Sequence, residues 1–253
     1  MPAGARLFLD LKSAEDSLYQ DLNYLWKIYY GIYNSAQYEP DLIPPFVSSE
    51  LQALREGLCN WREAFQSFEN KHQICATQQE VQHASLLRIH NYTATVLLAE
   101  LLHPNQTIFD AFDDTFQSIV HLSDQLLEYK LGSPWADTFS VELGVVQPLY
   151  ITAIKCRVPQ VRARAIKLLL AVPHQEGIWN GLVMGKIAEQ VKIMEEGDLD
   201  TQYLETERLP ELCRVHSVGS DINHKDRTAS FSCKLRRAGG VGEWEFRTGI
   251  VTW

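Results

Sequence analysis

His90, Tyr92 and Glu100 are the side chains in this sequence best suited to passing a proton near neutral pH. His90 lies among Leu86, Leu87, Ile89, Thr93 and Val96, beside Asn91 and Tyr92, and Glu100 follows ten residues later near the same helical face. The competing reading is a buried histidine hydrogen-bonded to a neighbouring helix. Trp26, Tyr30, Trp61, Tyr150 and Trp179 are the residues that would line an apolar ligand pocket, although aromatic residues at helical spacing equally describe plain core. The eight histidines show no ligand spacing with cysteine or carboxylate, so no metal site is expected. His-Glu-x-x-His, Gly-x-Ser-x-Gly, Gly-x-x-x-x-Gly-Lys and Gly-x-Gly-x-x-Gly are all absent, and no cofactor is expected.

Two charged clusters invite sharper chemistry. Asp110-x-x-Asp113-Asp114 resembles, in reversed order, the Asp-Asp-x-x-Asp motif by which terpene cyclases hold magnesium against a diphosphate. Acids in a first helical turn are also what the helix dipole favours, and no second metal motif follows. Lys155, Arg157, Arg162, Arg164 and Lys167 form a basic run without an acid. A nucleic-acid surface would want them on one face, yet Arg162 and Arg164 diverge by about 200° on a helix. A solvated rim, or pairing with an acidic loop further along, is the expectation.

The elements that would position these groups are mostly helices. The chain has 253 residues, 45% of them hydrophobic and 22% charged, with 23 Lys+Arg against 32 Asp+Glu. That composition describes a globular protein with enough apolar material for one large core or two closely packed ones. A formal charge of −9 argues against a nucleic-acid coat or an anionic-membrane binder. No apolar run approaches a bilayer span, and residues 1–10 hold only Leu7-Phe8-Leu9 ahead of an acid. Five widely spaced cysteines (59, 75, 156, 213 and 233) fit reduced thiols, so an intracellular location, nuclear or cytoplasmic, is expected.

Apolar residues at three- and four-residue steps predict a helix of about six turns from Leu11 to Tyr33 and a second opening at the Ser49-x-x-Gln52 box. A third over 78–102 opens at Thr77-x-x-Glu80, and a fourth begins near Thr107. Shorter helices follow near 140–156 and 160–172, with Pro159 opening the second of them, and a seventh runs near 177–195. Beyond an acidic loop the period becomes two. Ala229, Phe231, Cys233 and Leu235, then Trp244 and Phe246, predict a hairpin across Gly239-Gly240, joined by Arg214–Val218, with its apolar face on the helices. The expectation is a mainly α fold: antiparallel helical hairpins of about seven helices with a small C-terminal β-hairpin. The segments are a helical domain 1–195, an acidic loop 196–210 and a hairpin segment 211–253, in one structural domain overall.

Three stretches are less generic. His90-Asn-Tyr-Thr-Ala-Thr-Val-Leu-Leu-Ala99 resembles the central helix of the effector region of fungal six-cysteine zinc-cluster transcription regulators. Val146-Gln-Pro-Leu-Tyr-Ile-Thr-Ala-Ile-Lys-Cys-Arg157, continuing through Arg162–Leu170 to Trp179, is similar to that family's strongest block. The ending from Arg214 through Gly242-Glu-Trp-Glu-Phe246 to Trp253 also resembles theirs. The resemblance covers about residues 50–253. It implies an all-helical regulatory domain, nuclear in full-length members and coupled to secondary-metabolite gene clusters. Those regulators read DNA through a six-cysteine zinc cluster absent from these residues, so no direct nucleic-acid binding is expected. Three functions stay open: a regulatory domain binding a partner protein or small apolar metabolite, a cofactor-free enzyme of a natural-product pathway (cycloaddition, cyclisation or isomerisation), and an interaction scaffold. The oligomeric state is left open.

Overall fold

The computed structural model describes residues 6–33, 45–72, 77–103, 105–131, 144–171, 175–197, 199, 208–237 and 243–253. Contacts divide the chain into two compact units, Met1–Pro104 and Asn105–Trp253. The boundary expected at 195 falls inside the second unit. Most of the acidic loop and the Gly239-Gly240 turn lie outside the described residues.

The first unit holds three helices: α1 (Leu11–Tyr33), α2 (Pro45–His72) and α3 (Gln78–Leu102). The predicted stripe of α2 is its buried face, since Leu51, Leu54, Leu58, Trp61, Phe65 and Phe68 are all buried. Trp61 stacks on Phe65 at 4.5 Å and donates its indole N–H to the Ala14 carbonyl at 2.9 Å. α2 starts four residues before the expected Ser49 box, at Pro45, whose fixed φ suits a first helical position. The Thr77–Glu80 box of α3 is formed in both directions: the Thr77 amide donates to Glu80 at 2.7 Å and the Glu80 amide to Thr77 Oγ1 at 3.3 Å. Ile89, His90 and Asn91 are buried in succession, so α3 is enclosed on several sides rather than one.

The second unit opens with a 3-10 turn (Gln106–Phe112) and α4 (Asp113–Leu131), where one helix from Thr107 is predicted. The carboxylate of Glu211 accepts from the amides of Gln106 and Thr107, both at 3.0 Å, and holds that tighter start. Next come α5 (Val146–Lys155), buried at every residue, and α6 (Pro159–Ala171), which opens at Pro159 as expected. The predicted seventh helix begins late. Residues 175–180 form a minute hairpin of β1 (Gln175–Glu176) and β2 (Trp179–Asn180), turned by Gly177 at φ +56°. α7 (Gly181–Glu196) then starts after Asn180, whose side chain accepts from the Val183 amide at 3.0 Å.

The C-terminal element is a three-stranded antiparallel sheet, β3 (Val215–Asn223), β4 (Thr228–Arg236) and β5 (Trp244–Thr252), in sequential order. Its inner face is read correctly for β4, where Ala229, Phe231, Cys233 and Leu235 are buried. For β5 the expected face is reversed. Pairing of Phe231 with Gly249 and of Lys234 with Phe246 turns the odd residues of β5 inward and the even ones, Trp244 and Phe246 included, outward. The ring of Phe231 requires this: a Cβ on Gly249 would lie 2.6 Å from Phe231 Cζ.

Candidate functional site

The acid–base candidates all lie on α3 without forming a catalytic group. His90 and Glu100 are buried, and ten residues separate them by about 15 Å along the helix axis. Tyr92 points about 200° away from His90, toward α2, with its ring centre 5.3 Å from the Arg62 guanidinium. Arg62 also donates to Asn91 Oδ1 at 3.0 Å and Thr95 Oγ1 at 2.9 Å, while Asn91 donates to the Leu58 carbonyl at 3.1 Å. This polar seam fixes the register of α2 on α3, as a buried polar group does when its partners exist in one alignment only.

Of the five aromatic candidates, Trp26 and Tyr30 come together. Their rings stack at 5.5 Å, and Tyr29 stands edge-on to both at 5.6 and 6.3 Å. Tyr30 is 51% exposed. Tyr29, not singled out by the sequence, donates its hydroxyl to Glu100 Oε2 at 3.2 Å and so brings a buried carboxylate to the edge of this stack. Trp61 is enclosed core, not pocket lining. Tyr150 and Trp179 pair at 5.9 Å in the other unit, where burial, with a smaller contribution from Cys233, pushes the Tyr150 hydroxyl above its ordinary pKa.

Of the two expectations for the basic run, the solvated rim fails for Lys155, Arg157 and Arg162, which are buried, while pairing with the acidic stretch is seen where Arg162 meets Glu196 at 3.1 Å. Arg157 donates to the Lys155 carbonyl and to Glu195, and Arg162 Nη2 lies 2.7 Å from Glu195 Oε2 while its Nε reaches the Ala153 carbonyl at 2.9 Å. Glu195 also accepts from the Val215 amide at 2.7 Å, so one carboxylate ties the α5–α6 junction to the end of α7 and the start of β3. Burial alone would raise its pKa, but Arg157, Arg162 and that amide hold it below the ordinary value. Lys155 donates to Gln106 at 2.8 Å and to the His216 carbonyl at 2.6 Å. Arg214 grips Asp110 with two bonds of 2.8 Å, and Arg208 pairs with Asp113. Arginine partners, rather than an open cluster, therefore engage two of the three aspartates of the cyclase-like motif. Among the described residues no three His, Cys, Asp or Glu side chains converge as metal ligands, and no helix is long and apolar enough to cross a membrane.

Two exposed apolar side chains lie on the outer face of the sheet. Phe246 is 65% and Ile250 72% exposed, and an open hollow of about 620 Å³ lies beside them over Gly219, Ser232, Thr248 and Gly249. Lys234 Nζ sits 3.8 Å over the Trp244 ring, with Arg236 at 5.5 Å and the His216 ring edge-on at 4.9 Å. A second open hollow of about 540 Å³ runs between α6 and α7, floored by Ile166 and Leu170 and flanked by Lys167, Glu189 and Lys192. No family model matches the chain, and neither do any curated protein or solved structure.

Proposed function

We propose that this chain is a transcription-factor-like regulatory domain that acts by binding a partner protein or small metabolite, is linked to fungal secondary metabolism and does not itself contact DNA. The observation that carries this reading is the outer face of the C-terminal sheet. Exposed Phe246 and Ile250 beside a Lys234–Trp244–Arg236 stack form an apolar patch with a cationic margin, the character of a protein-binding surface. The resemblance of residues 146–179 to regulators supports it, and those residues supply Lys155, Arg157 and Arg162 to the buried network of the second unit. The Trp26–Tyr30 stack with Glu100 at its edge favours a second reading. There a small apolar ligand lies on aromatic faces, either as an effector or as the substrate of a cofactor-free cyclisation or isomerisation.

Deleting the gene in its host separates the two. For a regulator, transcripts of neighbouring biosynthetic genes fall together and no single intermediate builds up. Steady transcripts with one accumulating precursor overturn the regulatory reading and make that precursor the substrate to mix with the purified chain.

A further inference from the structure

α6 and α7 run antiparallel, and two contacts fix their register. Near one end Arg162 Nη1 reaches Glu196 Oε1 at 3.1 Å. Near the other, α7 comes so close at Gly185 that a Cβ there would stand 2.8 Å from Leu170 Cδ2. Stepping along both helices from these anchors, at about 1.5 Å per residue, puts Lys167 level with Glu189 and Ala163 level with Ile193.

Lys167 and Glu189 are exposed and line opposite banks of the open hollow between the two helices. Among the described residues neither side chain makes an ion pair or a hydrogen bond. Lys192, the third charged residue along the hollow, is by contrast paired with Glu196. Between the banks the surface is apolar, with Ile166 and Leu170 on the floor and the small side chains of Ala163 and Ala171 along the α6 bank. On the α7 bank Ile193 is 59% exposed. The face therefore carries one unmatched charge of each sign at one level, and a large apolar side chain level with a small one.

We infer that the α6–α7 face pairs with the same face of a second copy about a two-fold axis running along the hollow. Such an axis keeps each level and exchanges the banks, so each α6 lies on the α7 of the other copy. Lys167 then meets Glu189 of the second copy, and the symmetry repeats the pair. Ile193 settles over Ala163 of the second copy, a large side chain against a small one. Every neighbouring pair of helices in the resulting four-helix bundle is antiparallel, a common packing for helices on short links. A two-fold axis across the helices at that level would set Lys167 on Lys167 and Glu189 on Glu189, so charge selects the axis along the hollow. The pairing stands on helix register and charge within the second unit and not on the regulatory reading.

Sedimentation velocity of the full chain from about 2 to about 200 µM tests it. Faces of two short helices bury little surface, so a dissociation constant of roughly 10–100 µM is expected, with the mass rising from 28.9 kDa toward twice that value. Lys167→Glu and Glu189→Lys each set like charges against one another at both symmetric contacts, and each should weaken the dimer at least about tenfold. The double variant restores opposite pairs with their signs exchanged and should return to within about threefold of the wild-type constant. Both positions are exposed, and circular dichroism checks the fold of each variant. A wild-type mass of 28.9 kDa at every concentration overturns the inference. So does a dimer that either single substitution leaves intact, since it must then use another surface. A double variant as weak as the single ones overturns it too, because the two charges then do not face each other.

Discussion

The carboxylate of Glu176 lies over the first turn of α5, its Oε2 2.7 Å from the amide nitrogen of Val146 and its Oε1 3.1 Å from that of Val145. Val145 occupies the cap position and has no side chain able to accept, so the minute β1–β2 hairpin supplies the anion from thirty residues away. Gly144 makes room, since a Cβ there would stand 1.9 Å from Glu176 Oε1. Glu176→Ala leaves two buried amides without their acceptor and should cost about 1–3 kcal/mol. Glu176→Gln keeps an acceptor and should cost less. Thermal denaturation checks both, and an unchanged melting temperature for the alanine variant would falsify the cap.

Glu195 does comparable work for two buried guanidiniums. Glu195→Ala leaves Arg157 uncompensated in the core and Arg162 with Glu196 as its one remaining carboxylate, and should cost about 3–5 kcal/mol, read as a lower urea midpoint. Acid acts on the same group. Its folded carboxyl titrates below the ordinary value, so its stabilisation is full above the unfolded pKa of roughly 4.3 and is lost as pH falls through the folded one. Glu211 behaves alike: burial raises its pKa, but His216 and the amides of Gln106 and Thr107 bring it below the ordinary value. His216 acts one range higher. Burial, opposed by Glu211 and reinforced by Lys155 and Arg236, holds its imidazole below the ordinary value, so the folded chain takes up that proton less readily than the unfolded one. Its contribution is present above roughly pH 6.5 and lost as pH falls. The melting temperature should therefore decline below about 6.5 and again below about 4.5, with His216→Asn flattening the first decline. A wild-type profile level from pH 7 to 5 would contradict the assignment to His216.

What the sequence made legible was local. The Thr77–Glu80 box and the 3-4-3-4-3 stripe of α2 depend on residues within a few turns of one another, and both appear where expected. For Arg157 and Arg162 the sequence leaves a solvated rim and pairing with the acidic loop both open, since charge normally means surface; their burial depends on Glu195, 38 residues after Arg157. β5 was given the wrong inner face because alternation sets a period of two without saying which face turns in, and only the pairing of Phe231 with Gly249 decides. At the aromatic stack, Trp26, Tyr30 and Glu100 were all named, but the residue joining them was not. Tyr29 lies within the helix predicted from Leu11 to Tyr33, and nothing local signals that its hydroxyl meets α3 71 residues on.

The Phe231–Gly249 contact gives its own prediction. Gly249→Ala forces a methyl group into the Phe231 ring, and such overpacking typically costs about 1–3 kcal/mol. Phe231→Leu, which shortens the opposing side chain, should recover part of that loss in a double-mutant cycle. Additive effects would show that the ring and the glycine do not share the space.

Thiol chemistry reports on whether the buried network is closed. Cys59 is exposed on α2, whereas Cys156 and Cys233 are fully buried. Burial pushes both buried thiols up to about 11, and for Cys156 the Val158 amide and the two neighbouring arginines only partly oppose it. At pH 8 the thiolate fraction of a group titrating near 11 is roughly one in a thousand, and the thiolate is the reacting species. A thiol reagent on the native chain, followed by peptide mass mapping, should therefore mark Cys59 quickly and leave Cys156 and Cys233 unmarked until denaturant unfolds the second unit. Cys156 lies between Lys155 and Arg157, so its protection tests the network directly. Glu195→Ala should speed its labelling well before it changes that of Cys59. Equal rates at Cys156 and Cys59 in the native wild type would mean that the α5–α6 junction opens freely, and the ion network could then not be what holds it shut.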